Sequence, residues 1–146
     1  ANYFNTVKKF IIQGLKFKKI VRMGNGQEVR RYIHTLDASK ICYEISKKKY
    51  DNKCFNIIGK EKKKIKDVMK LIAAELKIKK IILNKNVNDE SHYKIQPFTY
   101  NIKKGKNFYL ANPIKFLDGL REMIKSMEDF KFAEFLFKKN NNLKYK

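Results

Sequence analysis

The sequence predicts an α/β domain, and three observations carry that prediction. Short β-rich runs alternate with amphipathic helical segments, the order that layers helices on a sheet. Glycines close two of those runs, at Gly24-Asn25-Gly26 and at Gly59, where backbone conformations shut to other residues are allowed. With 146 residues, the chain suffices for one domain that removes about 70% of its unfolded surface from water.

Each element follows from local pattern. Over residues 3–15 apolar side chains fall at Phe4, Val7, Phe10, Ile11 and Gly14/Leu15, with Lys8, Lys9 and Gln13 opposite, which is helical spacing. Residues 18–23 read as a strand ended by the glycine turn, and residues 31–34 as a second strand-like run. Leu36-Asp37 opens a helix over 38–46 with Ile41, Cys42 and Ile45 inward. Residues 53–59 are β-rich, and 62–77 form the clearest helix, with Ile65, Val68, Met69, Ile72 and Leu76 on one face. Residues 80–83 make another short strand. Residues 84–90 are polar and read as a loop, and 91–100 read as extended, since Pro97 disfavours helix at the residue before it. Asn112-Pro113 supplies a cap and a first-turn proline for a last helix carrying Ile114, Leu117, Leu120, Ile124 and Met127, with a continuation from 130 to 137. Residues 138–146 are a Lys/Asn-rich tail that should fray.

The formal charge of +21 invites a nucleic-acid partner, because clustered cations gain from counterion release. The kind of cation argues otherwise. Of 35 basic residues only Arg22, Arg30, Arg31 and Arg121 are arginine, the planar fork suited to phosphates and base edges; the lysines are spread along the chain as a solvated surface. No apolar run approaches the ~20 residues that span a bilayer, so no membrane partner is expected and the expected compartment is the cytoplasm. Cys42, Cys54, His34 and His92 lack the spacing of a metal site, and the cysteines read as buried free thiols. Ala1 in place of a methionine leaves room for sequence upstream.

Three groups of polar residues compete for a role. Tyr43 and Lys47 fit the spacing Tyr-x-x-x-Lys, but a chain this rich in both residues produces it by chance, and no glycine-rich dinucleotide turn precedes it. His34 and His92 have no Asp or Cys in a pattern that would activate them, and Asp37 reads as a helix cap. Arg30 and Arg31 differ, because they leave a turn and enter a strand, where successive side chains point oppositely. One of the two should face a site, and a guanidinium fixed there can bind a phosphate bidentately.

Residues 26–38, Gly-Gln-Glu-Val-Arg-Arg-Tyr-Ile-His-Thr-Leu-Asp-Ala, resemble the GxxxRxYIHVxDxA segment of extended short-chain dehydrogenase/reductases, the nucleotide-sugar epimerases and dehydratases. Flanking segments agree in order: Phe10-Ile11-Ile12-Gln13-Gly14-Leu15 with the strand at 20–23, Phe55-Asn56-Ile57-Ile58-Gly59 with Ile65-Lys66-Asp67-Val68, Ser91-His92-Tyr93 through Pro97-Phe98, and Leu117-Asp118-Gly119-Leu120. The resemblance covers roughly residues 4–127, and only the C-terminal part of that family. It implies a small mixed sheet with flanking helices, the substrate-binding portion without its Rossmann domain, over residues 1–137. It implies that Arg30 contacts the diphosphate of a nucleotide sugar and that Ile20, Val21, Arg22 and Met23 lie against the base. A second basic contact usually comes from further along; no arginine stands near His92 and Tyr93, which are the candidates there. NAD or NADP and the catalytic Tyr-x-x-x-Lys would belong to a missing N-terminal domain, so this chain alone is expected to bind no cofactor and to be inactive. A homodimer is left open. The rival reading is a basic module for nucleic acid or an acidic partner.

Overall fold

Helical periodicity at the N-terminus becomes α1 (Thr6–Phe17), whose first turn is capped by the Asn5 side chain accepting from the Val7 amide at 2.9 Å. The computed structural model describes residues 5–84 and 105–129. Val7, Phe10, Ile11 and Gly14 form the buried stripe of α1, and a Cβ on Gly14 would lie 2.6 Å from Ile78 Cδ1, so the helix seats closely against the segment just before the strand Lys80–Asn84.

After α1 come β1 (Lys19–Met23), β2 (Val29–Tyr32), α2 (Thr35–Ile45), a 3-10 turn at Lys48–Tyr50, β3 (Phe55–Ile57) and β4 (Glu61–Lys64). Then follow α3 (Ile65–Glu75), β5 (Lys80–Asn84), β6 (Lys106–Phe108) and α4 (Phe116–Asp129). The strands pair two by two: β1 parallel to β5, β2 antiparallel to β4, and β3 parallel to β6. This is a mixed α/β architecture of small sheets and flanking helices. The core gathers α1, β1, α3 and α4 through Phe10, Ile11, Ile20, Val68, Met69, Ile72, Leu120 and Ile124, all buried. Each such side chain contributes about 1.5–3 kcal/mol relative to exposure.

Several sequence expectations are corrected. The helix predicted from residue 62 begins at Ile65, because 61–64 pair with β2 in the register Val29↔Lys64, Arg30↔Lys63, Arg31↔Lys62 and Tyr32↔Glu61. Tertiary pairing has drafted a Glu-Lys-Lys-Lys run with little strand preference of its own. The last helix begins at Phe116 rather than at 112. The segment before it is kept out of the helix, with Ile114 N donating to Asp37 Oδ2 at 2.7 Å and Phe116 N donating to Glu61. Asp37 therefore is not the cap of α2; His34 is, its Nδ1 accepting from the Leu36 amide. Asp37 lies inside the first turn of α2, almost fully buried, and a hydrogen bond to such a carboxylate contributes about 1.5–3 kcal/mol. Both cysteines are exposed rather than buried. Strand β6 had no counterpart in the sequence reading. The extended run at 91–100, the continuation from 130 to 137 and the tail at 138–146 lie outside the described residues.

Candidate functional site

Everything distinctive gathers around the β1–β2 turn. Gly24 and Gly26 take positive φ values of 90° and 67°, and the Asn25 side chain accepts from the Gln27 amide at 3.0 Å, which fixes the turn from within. Gly24 N donates to Asn84 O, extending the β1–β5 ladder, while Gly26 O and Glu28 O accept from Lys66 N and Ile65 N at 2.9 Å. The turn thus caps α3, and a Cβ at Gly26 would press Lys66 at 3.1 Å. Because those first amides of α3 are occupied, its N-terminus is not an anion cradle.

Side-chain alternation in β2 sends its two arginines to opposite faces. Arg31 Nη1 donates to Gly59 O at 3.1 Å and Lys60 O at 3.4 Å, tying β2 to the β3–β4 turn. Arg30 shares the other face with Tyr32, and its Nη1 donates to Val29 O at 2.9 Å. Beside it Arg22 and Glu28 form an ion pair at 2.8 Å with side chains only 11% and 21% exposed. Burial pushes the Glu28 carboxyl upward, yet the hydrogen bond from Arg22, a backbone contact and the charges of Arg22 and Arg30 outweigh it and leave the group below its ordinary value. Burial raises the Tyr32 phenol, against the pull of Arg30 and Arg22. The Tyr32 ring packs on Phe116 with centroids 4.7 Å apart. One face therefore brings together Arg22, Glu28, Arg30 and Tyr32, in a half-buried setting where charges act more strongly than in water.

The residues proposed to line a base do not act as a block. Ile20 is fully buried in the core and offers no surface to a ligand; Arg22 shares its side of β1. Val21 and Met23 lie on the other side, Val21 half-buried with its amide held by Gln13 Oε1 at 2.9 Å, Met23 exposed. His92 and Tyr93 lie outside the described residues. Two partners escaped the sequence reading: Glu28, whose signal was its place six residues after Arg22 across a tight turn, and Lys63, hidden in a segment read as helix.

Two concavities flank this face. A cavity of about 20 Å³ bordered by Tyr32, His34, Asp37, Gly59, Tyr109 and Ile114 has space for about one water, too little for any nucleotide. Asp37 Oδ1 has no hydrogen-bond partner among the described residues. A shallow groove of about 700 Å³ lies between α3 and β4, lined by Val29, Lys62, Lys63, Lys64, Lys70 and Leu71 among others. No cluster that could hold a metal occurs among the described residues, and none of their helices is long and apolar enough to cross a membrane.

Three solved structures share this α/β arrangement. An NAD-dependent NDP-hexosamine 5,6-dehydratase, TunA, involved in tunicamycin biosynthesis, has a TM-score of 0.63 at 12% identity over 86% of this chain and 41% of its own. The dTDP-glucose 4,6-dehydratase of Bacillus anthracis, solved in complex with NAD, gives 0.63 at 20% identity over 86% and 39%. A GDP-L-fucose synthetase from Naegleria fowleri gives 0.67 at 10% over 87% and 40%. At these identities the likeness is one of fold, and the chain spans about two fifths of the length of each. No protein-family model and no curated protein matches the sequence.

Proposed function

We propose that this chain is the substrate-binding portion of an NAD(P)-dependent nucleotide-sugar epimerase or dehydratase, with Arg30 neutralising the diphosphate and Val21 and Met23, which share one side of β1, bordering the base. The observation that carries the reading is the fold likeness to about two fifths of three enzymes named for nucleotide sugars. The division of labour in β2 supports the residue choice: Arg31 reaches across to carbonyls of the β3–β4 turn, while Arg30 donates to the carbonyl of its own neighbour, Val29, and stands beside the Arg22–Glu28 ion pair. Positioning a sugar for hydride transfer is worth much of a barrier, and this is the part such a portion plays.

The dinucleotide would be held elsewhere. The described glycine turn does not fit one, because the helix amides next to it donate to Gly26 O and Glu28 O, and no step is assigned to a cofactor here. Two surface features support a docked companion domain. Leu36 and Tyr43, seven residues apart on α2, are 57% and 73% exposed. The parallel pair β3–β6 has only two strands among the described residues, whereas parallel strands ordinarily lie within larger, covered sheets.

A second reading, a basic surface for nucleic acid or an acidic partner, has the lysine-lined groove in its favour. One titration separates the two. The first reading expects UDP-, GDP- or dTDP-sugars to raise the melting temperature of the chain, and Arg30→Ala to reduce that shift more than Arg31→Ala. Tight DNA binding at physiological salt with no shift from any nucleotide sugar would overturn it.

A further inference from the structure

The shallow groove between β4 and α3 lies on the side of the β2–β4 ribbon that Arg30 does not share, because Val29, Lys62 and Lys64 alternate with Arg30 and Lys63 along the paired strands. Lys70, Leu71 and Ala74 of α3 form its other wall. Four lysines and one carboxylate, Asp67, line it, yet its surface is mostly apolar. Lysines lend methylene stems to such a wall and keep their charged heads in water. The core face of α3 is Val68, Met69, Ile72 and Ala73, whereas Asp67, Lys70, Leu71 and Ala74 follow i, i+3, i+4, i+7 and make a second stripe two turns long. Ala74 is exposed within that stripe, so another helix can approach closely there.

We infer that this groove docks an acidic amphipathic helix of a partner protein, its apolar face on Val29, Leu71 and Ala74 and its carboxylates toward Lys62, Lys64 and Lys70. The lining favours such a partner over nucleic acid. Among the described residues it holds neither an aromatic ring on which a base could stack nor an arginine fork for phosphates, and Asp67 repels a phosphate backbone. A helix carrying apolar anchors at i, i+3, i+4 and i+7 uses both the floor and the rim. The surface is separate from the Arg30 face, so this inference stands or falls independently of the nucleotide-sugar reading.

The test is fluorescence anisotropy of the 146-residue chain at physiological salt. The probes are a helical peptide of glutamate and leucine at amphipathic spacing, a scrambled peptide of the same composition, and a single-stranded DNA of equal charge. The amphipathic peptide should bind about tenfold or more tighter than the scrambled one. Lys64→Glu and Lys70→Glu should each weaken it about fivefold, since reversal replaces a rim attraction by repulsion. Ala74→Glu, at an exposed helix position that tolerates the change, should weaken it as much. Lys9→Glu and Lys40→Glu, exposed on α1 and α2, should change it little. Equal binding of the two peptides, or equal losses from Lys9→Glu and Lys64→Glu, would reduce the effect to the net charge of +21 and overturn the inference. Tighter binding of the DNA, lost in the Lys64 and Lys70 variants, would overturn it in favour of a nucleic-acid surface.

Discussion

The two faces of β2 make an instructive pair. They are built from adjacent residues of the same type, Arg30 and Arg31, each set opposite a lysine. On the Arg31 side the guanidinium reaches backbone carbonyls of Gly59 and Lys60, neutral acceptors fixed by the fold. On the Arg30 side the guanidinium also donates to a carbonyl, that of Val29, but its neighbours are the charged Arg22 and Glu28, the neutral Tyr32 phenol and, across the ribbon, Lys63 and Glu61. Carbonyls satisfy an arginine without asking for a ligand, so the first face joins strands. Ionised neighbours respond to an arriving anion, which is why the second face is the one proposed for recognition. On that proposal the same residue type serves architecture or binding according to which acceptors the fold places within reach.

The sharpest way to break the architectural face is at Gly59. A Cβ there would stand 1.5 Å from Tyr32 O and 2.3 Å from its carbonyl carbon, both backbone atoms with no room to yield. Gly59→Ala should therefore cost more than about 3 kcal/mol, read as a large fall in denaturation midpoint. A melting curve equal to wild type would show that the β2 and β3–β4 junction is looser than described. A smaller effect is expected from Arg31→Met, which removes two hydrogen bonds to carbonyls. It should cost about 1 kcal/mol and leave nucleotide affinity near wild type, the reverse of Arg30→Met. Equal profiles for the two variants would erase the distinction between the faces.

Much of this frame was legible in the sequence, and the gaps have physical causes. The apolar spacing of Val7, Phe10 and Ile11, and of Val68, Met69 and Ile72, marks buried helix faces because burial follows the helical period. The divergence of Arg30 and Arg31 follows from the twofold period of a strand. That same period separates Ile20 from Val21 and Met23, so four consecutive residues could not all border one ligand; Ile20 belongs to the core. Strand β4 was invisible because Glu61 to Lys64 carry no β preference and pair only through contact with β2. Lys63 was hidden with it. Asp37 looked like a cap because caps are local, whereas its actual partner, Ile114, lies far along the chain. Sequence pattern reports periodicity well and reports long-range acceptors hardly at all.

The mildest prediction probes the recognition face through pH. Glu28 has a folded-state value below its ordinary 4.5, the charges and hydrogen bonds of its neighbours outweighing burial. A carboxylate whose value falls on folding binds fewer protons in the native state, so its stabilisation is present above about pH 4.5 and is lost as pH falls through the lowered folded value. Removing its partner with Arg22→Met should cost about 1 kcal/mol near neutrality, because the pair is half-buried but not sequestered. That gap should close as the solution is acidified below about pH 4.5 and Glu28 becomes neutral in both proteins. Denaturant titrations of both chains from pH 7 to pH 3 would measure it. A gap that stays constant across the range would mean that Arg22 stabilises by packing its stem, and the ionic character of this face would rest on Arg30 and the residues across the ribbon alone.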